Sequence, residues 1–268
     1  MCNGERARYT SSRKGRNSDK NLPRSEKRNV ITNQLSGTHI DEVASGIYRI
    51  CTPMDIIPGG FTFNSYLVVD KEPLLFHTGY RKVFSLTAEA VKAVMPVDQL
   101  RWVGGSHFEG DEYGALNDFL DAAPNATPFG SEVGVMTSVN DFAKRPARGL
   151  KDGEEFSIGG RRMKWVYTPH IPHGWDCGTL FDLSTNTLLC GDLFTQPGSG
   201  MAPVTESEVL TSSETMRKMM DYYAHATSMS VTLERLAALR PTTLACQHGS
   251  AYRGDGGALL RELSATLE

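Results

Sequence analysis

Between a predicted strand at Leu100 to Val103 and a predicted helix at Tyr113 to Ala123, the chain reads Gly104-Gly-Ser-His107-Phe-Glu109-Gly-Asp111-Glu112. One imidazole and three carboxylates thus crowd into a single strand-to-helix turn, a dense set of metal donors for one loop. Taken alone, the segment fits a surface histidine followed by acids favoured at a helix N-terminus equally well. Three later positions decide the matter. His173 falls in Thr168-Pro-His-Ile-Pro-His173-Gly-Trp-Asp176, Asp192 in Leu188-Leu-Cys-Gly-Asp192, and His248 in Leu244-Ala-Cys-Gln-His248-Gly. Each follows an apolar strand and stands beside a glycine. An unpaired buried carboxylate is costly there, whereas a metal cation compensates it directly. A chain with this pattern has to bring several strand ends together.

The surrounding pattern supplies those strands. Gly46 to Cys51, Phe61 to Val69 and Pro73 to Phe76 read as short strands between Pro, Gly and Asp turns. Ser85 to Met95 has helical spacing. Further strands are predicted at Ala126 to Phe129, Arg162 to Thr168, Gly178 to Leu183, Thr187 to Cys190 and Thr243 to Cys246. Further helices are predicted at Ser131 to Asp141, twice between Glu206 and Leu239, and from Gly257 onward. Strand clusters that give way to alternating strand and helix indicate a layered α/β (α+β) domain rather than a helical bundle. The Gly/Pro-rich run Thr195 to Pro203 is a loop after a strand end, where binding residues often sit. The Met/Tyr stripe from Met216 to Tyr223 reads as a core helix face, with Tyr222, Tyr223 and His225 as candidates to approach a metal cleft. His39 and His77 have no partner pattern and receive no role.

The 268 residues carry a net charge of −3, which argues against a nucleic-acid binder working by overall charge. No apolar run is long enough to span a bilayer, so no membrane partner is expected. The charge is unevenly spread: residues 1 to 30 hold nine Lys or Arg against three acids, a balance of +6 that leaves −9 for the rest. With few large apolar side chains, this stretch is read as a disordered basic tail, placed at residues 1–38 ahead of a single domain at 39–268. The five cysteines, Cys2, Cys51, Cys177, Cys190 and Cys246, are odd in number and contain no Cys-x-x-Cys pair. That pattern fits a reducing, cytoplasmic setting and excludes a built-in rubredoxin-type or iron-sulfur module. Cys177, Cys190 and Cys246 neighbour the candidate ligands, and buried strand thiols are the commoner explanation for them.

The ordered set His107-x-Glu109-x-Asp111, His173, Asp192 and His248 resembles the metallo-β-lactamase-fold superfamily, and within it the flavodiiron and oxygen-binding di-iron group. Asn64-Ser-Tyr66, Gly114, His173-x-x-Asp176 and His248-Gly249 support the match. Hydrolases of the superfamily usually carry His-x-His-x-Asp-His and two zinc ions, and the di-iron group has Glu in place of the second His. The resemblance implies a four-layer αββα sandwich. It implies that His107, Glu109 and His173 hold one metal, that Asp111 and His248 hold the other, and that Asp192 bridges them. His170 is an alternative to His173, which the spacing favours. Where the group usually has His after the motif aspartate, this chain has Glu112, so the second metal gains a carboxylate, gains a water or is weakly held. Asp192 and Glu112 are the catalytic candidates.

Three carboxylates offset three of the four charges of a divalent pair, which suits iron, with zinc or manganese as alternatives. The resemblance implies a di-iron oxidoreductase that binds and reduces O2 or a related small oxidant such as NO. Because the chain ends about where the sandwich should, a flavodoxin domain is expected to be absent. Electrons would then come from an external donor, a flavin reductase or rubredoxin-like protein, or from a reducing organic substrate. A homo-oligomer is expected. A dinuclear metal-dependent hydrolase of lactones, esters, amides or phosphodiesters is the alternative, and a di-iron O2 sensor without turnover is a third reading.

Overall fold

A computed structural model describes Met1 and residues 30–267. The first sheet has eight strands in sequence order: β1 (Val30–Asn33), β2 (Thr38–Ala44), β3 (Ile47–Met54), β4 (Phe61–Val68), β5 (Leu74–Phe76), β6 (Trp102–Gly104), β7 (Thr127–Ser131) and β8 (Arg148–Leu150). β1 to β5 pair antiparallel, and β5 to β8 pair parallel. The parallel connections carry helices, as such crossovers must. These are α1 (Phe84–Lys92), α2 (Gly110–Tyr113) and α3 (Leu116–Ala122); α4 (Glu132–Gly134) and α5 (Asn140–Phe142) flank a π-helical turn, Val135–Val139.

The second sheet runs β13-β15-β14-β12-β11-β10-β9. Its strands are β9 (Glu155–Ser157), β10 (Arg162–Tyr167), β11 (Gly178–Asp182), β12 (Thr187–Leu189), β13 (Val204–Thr205), β14 (Thr243–Ala245) and β15 (Ala251–Arg253). Helices α6 (Leu210–Met220), α7 (Met229–Ala237) and α8 (Gly256–Leu267) belong to this half.

Side-chain alternation along the strands builds three apolar layers. In β4, Leu67 faces α1 and α3 with Leu75, Val91 and Phe119, while Tyr66 and Val68 face the other sheet. In the second sheet Trp165, Leu180, Leu189 and Ala245 meet them, and Val166, Phe181, Leu188 and Leu244 turn outward to α7 and α8. α7 buries Met229, Thr232, Leu233, Leu236 and Ala237, a helical stripe. Each fully buried Leu in these layers contributes about 2 kcal/mol. Helix, sheet, sheet, helix is the αββα sandwich that the sequence led us to expect.

Several expectations change. The predicted helix Tyr113 to Ala123 is two helices, and the first begins at Gly110, so Asp111 and Glu112 are helical. The helix predicted at Ser131 to Asp141 is broken by the π-helical turn. β1, β2, β8, β9, β13 and β15 were not foreseen. The tail boundary at residue 38 is too late: Val30–Asn33 pairs with β2 as an edge strand, because Val30 and Ile31 supply a strand's backbone bonds. Residues 2–29 lie outside the described residues. A chain beginning at Gln34 would lose β1, whose Val30 and Ile31 are exposed. It is expected to stay folded and lose about 1 kcal/mol in urea unfolding; loss of the cooperative transition would show that β1 is required.

Candidate metal centre

The six candidate donors arrive from both sheets. β6 runs into the turn that carries His107 and Glu109, and α2 begins directly after Glu109, presenting Asp111 and Glu112 in its first turn. β10 leads to His173. β12 and β14 are parallel neighbours, so Asp192 and His248 leave the sheet at the same edge. A binding position beyond the carboxyl ends of parallel strands is the usual one for such sheets. Gly174 lies beside His107, where an added Cβ would stand 3.2 Å from the His107 Cβ, and its φ of +77° is one that glycine adopts freely.

Asp192 divides its two oxygens between two donor sets. Its Oδ2 lies 3.6 Å from His107 Nε2 and 3.3 Å from His173 Nε2. Glu109 Oε1 closes that set, 3.5 Å from His107 Nε2 and 3.3 Å from His173 Nε2. Donors ~2.1 Å from a tetrahedral ion stand about 3.4 Å from one another, so this spacing fits one ion. On the other side, Asp192 Oδ1 is 3.2 Å from His248 Nε2, which is 3.5 Å from Asp111 Oδ2. His107 Nε2, Asp192 Oδ1 and both oxygens of Glu112 are buried with no hydrogen-bond partner. Buried polar atoms converging without protein partners are what a cation-binding site leaves behind.

Glu112 is fully buried. The sequence leaves open whether Glu112 adds a carboxylate to the second metal; in the structure its Oε1 lies 3.9 Å from His107 Nε2, and it groups with His107 and Glu109. α2 buries Glu112 together with Tyr113, which sets the Glu112 carboxyl beside His107. His170 is exposed, which leaves His173 at the centre.

The electrostatics follow from burial. Burial pushes the Glu112 carboxyl well above the ordinary carboxylate range, and Asp111 is raised for the same reason. Burial also opposes charge on Asp192, but pairing with His248 and the charges of His107 and His173 hold it below the ordinary range. Pairing with His107 and then His173 lowers Glu109 to about 2.

Of the residues that support the donors, Tyr222 was a candidate from the sequence and Thr62, Ser106, His77 and Gln247 were not. His248 Nδ1 bonds the Thr62 carbonyl at 2.7 Å, which aims Nε2 at the centre. Gln247 Nε2 donates to Asp111 Oδ2 at 3.0 Å. Tyr222 donates to the Asp192 carbonyl at 3.2 Å, and its ring meets His173 edge to face. Of the other candidates in that stripe, Tyr223 lies under the Arg217 guanidinium, and His225 is exposed beside Asp221. His77, given no role from sequence, bonds Ser106 Oγ at 3.0 Å, and Ser106 Oγ lies 3.0 Å from His107 Nδ1. β5 and β6 place it there by pairing Phe76 with Gly104.

Burial lowers His77 to about 3, well below its unfolded value near 6.5. Between those values the unfolded chain takes up a proton that the folded chain refuses. Stability is therefore full above about pH 6.5 and falls as pH drops toward 3. His77→Asn, which tolerates the local φ of +65°, is expected to remove roughly 1 kcal/mol of the loss between about pH 6.5 and 5.5. Urea unfolding of chelator-treated protein checks this, and equal losses in both proteins would rule it out.

Comparison with known proteins agrees with this architecture. The chain is 26% identical over 199 residues to diflavin flavoprotein A 2 of Synechocystis sp., covering 71% of this chain and 33% of that protein. It is 26% identical over 206 residues to rubredoxin-oxygen oxidoreductase of Megalodesulfovibrio gigas, covering 74% of this chain and 50% of that protein. The chain thus spans half or less of the length of these relatives. Among solved structures, the rubredoxin oxygen:oxidoreductase of Desulfovibrio gigas superposes with a TM-score of 0.72 at 21% identity, over 85% of this chain and 61% of that one. A flavoprotein of Thermotoga maritima gives 0.76 at 19% identity, over 86% and 61%. At these identities the likeness is one of fold. Among the described residues no helix is long and apolar enough to cross a membrane. The profile of the ODP family beta lactamase matches residues 61–249, a stretch that contains all six donor positions and most of both sheets. The chain belongs to that family.

Proposed function

We propose that this chain is a di-iron oxidoreductase domain that binds and reduces O2 or a related small oxidant such as NO. The observation that carries the reading is Asp192, whose two oxygens face His107 and His173 on one side and His248 on the other. In this reading His107, Glu109 and His173 would hold one iron and Asp111 and His248 the second, with Asp192 offering one oxygen to each set. The two irons, when bound, supply electrons to the oxidant. Glu109, Asp111 and Asp192 balance the charge of a divalent pair, and oxygen-rich donors of this kind favour iron over zinc. Thr62 and Ser106 orient the imidazoles of His248 and His107. Glu112, buried against His107 with neither oxygen hydrogen-bonded, is placed to hold a proton at its carboxyl or to complete the first donor set.

Two irons can be spent only once, so continued turnover needs a donor to refill them. The rubredoxin-oxygen oxidoreductase among the relatives supports a rubredoxin-type or flavin-type donor acting on this chain. The test is anaerobic purification, metal analysis and O2 uptake. About two irons per chain are expected, with O2 consumption that stops after about one turnover and resumes when a flavin or rubredoxin-type donor is added. Zinc in place of iron, with hydrolysis of a lactone or phosphodiester and no O2 reaction, would overturn the reading in favour of a hydrolase. A stable O2 adduct that is never consumed would overturn it in favour of a sensor.

A further inference from the structure

β12 and β14 lie side by side in parallel register, Leu188 opposite Leu244 and Leu189 opposite Ala245. The next residue on each is a cysteine, Cys190 and Cys246, and their Sγ atoms stand 3.8 Å apart. Both are buried in the apolar layer beneath α7 and α8, among Leu188, Leu193 and Leu244. Among the described residues, the sulfurs also reach the backbone carbonyls of Leu244 and Leu193, at 3.7 Å and 3.9 Å. Neighbouring strands are about 4.8 Å apart, inside the window of roughly 4.4–6.8 Å between Cα atoms that a disulfide spans. A disulfide would require the sulfurs to close from 3.8 Å to about 2.05 Å, a movement on the scale of side-chain rotation.

We propose that Cys190 and Cys246 form a dithiol–disulfide couple, a two-electron site separate from the metal position, with hydrogen peroxide as its oxidant. Peroxide is small and neutral, as entry to an apolar layer requires. One sulfur attacks a peroxide oxygen as its thiolate, the O–O bond breaks, and the departing oxygen takes up the proton that the thiol has released, so that a sulfenic acid and one water result. The second sulfur then attacks the first, the S–O bond breaks, and the hydroxyl leaves with the remaining thiol proton as a second water. The two thiols lose two electrons, and one peroxide becomes two waters. Cys190 lies two residues before Asp192, and Cys246 two before His248. The bond therefore fastens together the two strand ends that carry these residues. The couple itself needs no metal.

The test treats the full chain, chelator-treated and metal-loaded in parallel, with stoichiometric hydrogen peroxide. Remaining thiols are alkylated in denaturant and the peptides mapped by mass spectrometry. The expected result in both samples is joint loss of alkylation at Cys190 and Cys246, one linked peptide pair, and full recovery with dithiothreitol. Cys51 and Cys177 stay alkylatable, and in Cys190→Ala so does Cys246. The proposal is overturned if Cys190 and Cys246 remain alkylatable at a peroxide dose that oxidises the exposed Met219 and Met220, or if each is oxidised alone to the sulfinic acid. The chelator-treated sample reads the couple without metal, so failure of the di-iron reading would leave this result standing.

Discussion

Asp192→Ala is expected to strip most of both metal ions from the protein, because its two oxygens serve both donor sets. The remaining donors would then be Glu109 with two imidazoles on one side and Asp111 with one imidazole on the other, and neither set is closed. Glu112→Gln, which keeps the volume and removes the charge, is expected to lower the occupancy of the ion on the His107 side more than the other, since Glu112 groups with His107 and Glu109. Metal analysis after gel filtration separates the two outcomes. Two ions retained at full occupancy in Asp192→Ala would show that Asp192 does not span the centre.

Arg49→Met is expected to cost about 3 kcal/mol in urea unfolding and to weaken the hold on His248. Arg49 is fully buried in β3. Its Nη2 donates to the Gly249 carbonyl at 2.9 Å, the same oxygen that Asn64 Nδ2 reaches at 2.9 Å. Its Nη1 stands 4.0 Å from Asp41, whose carboxyl burial already raises. Removing the guanidinium leaves Asp41 without that charge and the His248–Gly249 turn with one fewer tether. A loss below about 1 kcal/mol would show that Asn64 and Thr62 suffice to hold the turn.

The candidate donors that the structure brings together were legible because of where they stand in the sequence. His107, Glu109, Asp111 and Glu112 are clustered, and His173, Asp192 and His248 are polar residues placed where apolar strands end. The supporting residues carry no such signal. His77 lies thirty positions before His107 and reaches it only through the parallel pairing of β5 with β6. Thr62 and Arg49 touch the His248 turn across the gap between sheets, a relation that periodicity cannot express. Among the unforeseen strands, β8, β9 and β15 have three residues each and lack the apolar runs that marked the equally short β5, β12 and β14. β2 hides its strand character behind Asp41 and Glu42, and Asp41 is buried against Arg49. The helix at Tyr113 was misread at its start because Gly110 and the acids after it look like a loop, although they form the first turn.

Division of the donors between the sheets has a mechanical consequence. His107, Glu109 and Asp111 follow β6 of the first sheet, while His173, Asp192 and His248 follow β10, β12 and β14 of the second. Whatever draws all six toward one point also pins one half of the sandwich to the other. A ligand that binds only the assembled form stabilises it by mass action, about 4 kcal/mol at a thousandfold excess over its dissociation constant. Loading is thus a rivet as well as a source of chemistry. Under the proposed reading, slippage between the layers and loss of the ions would be the same event.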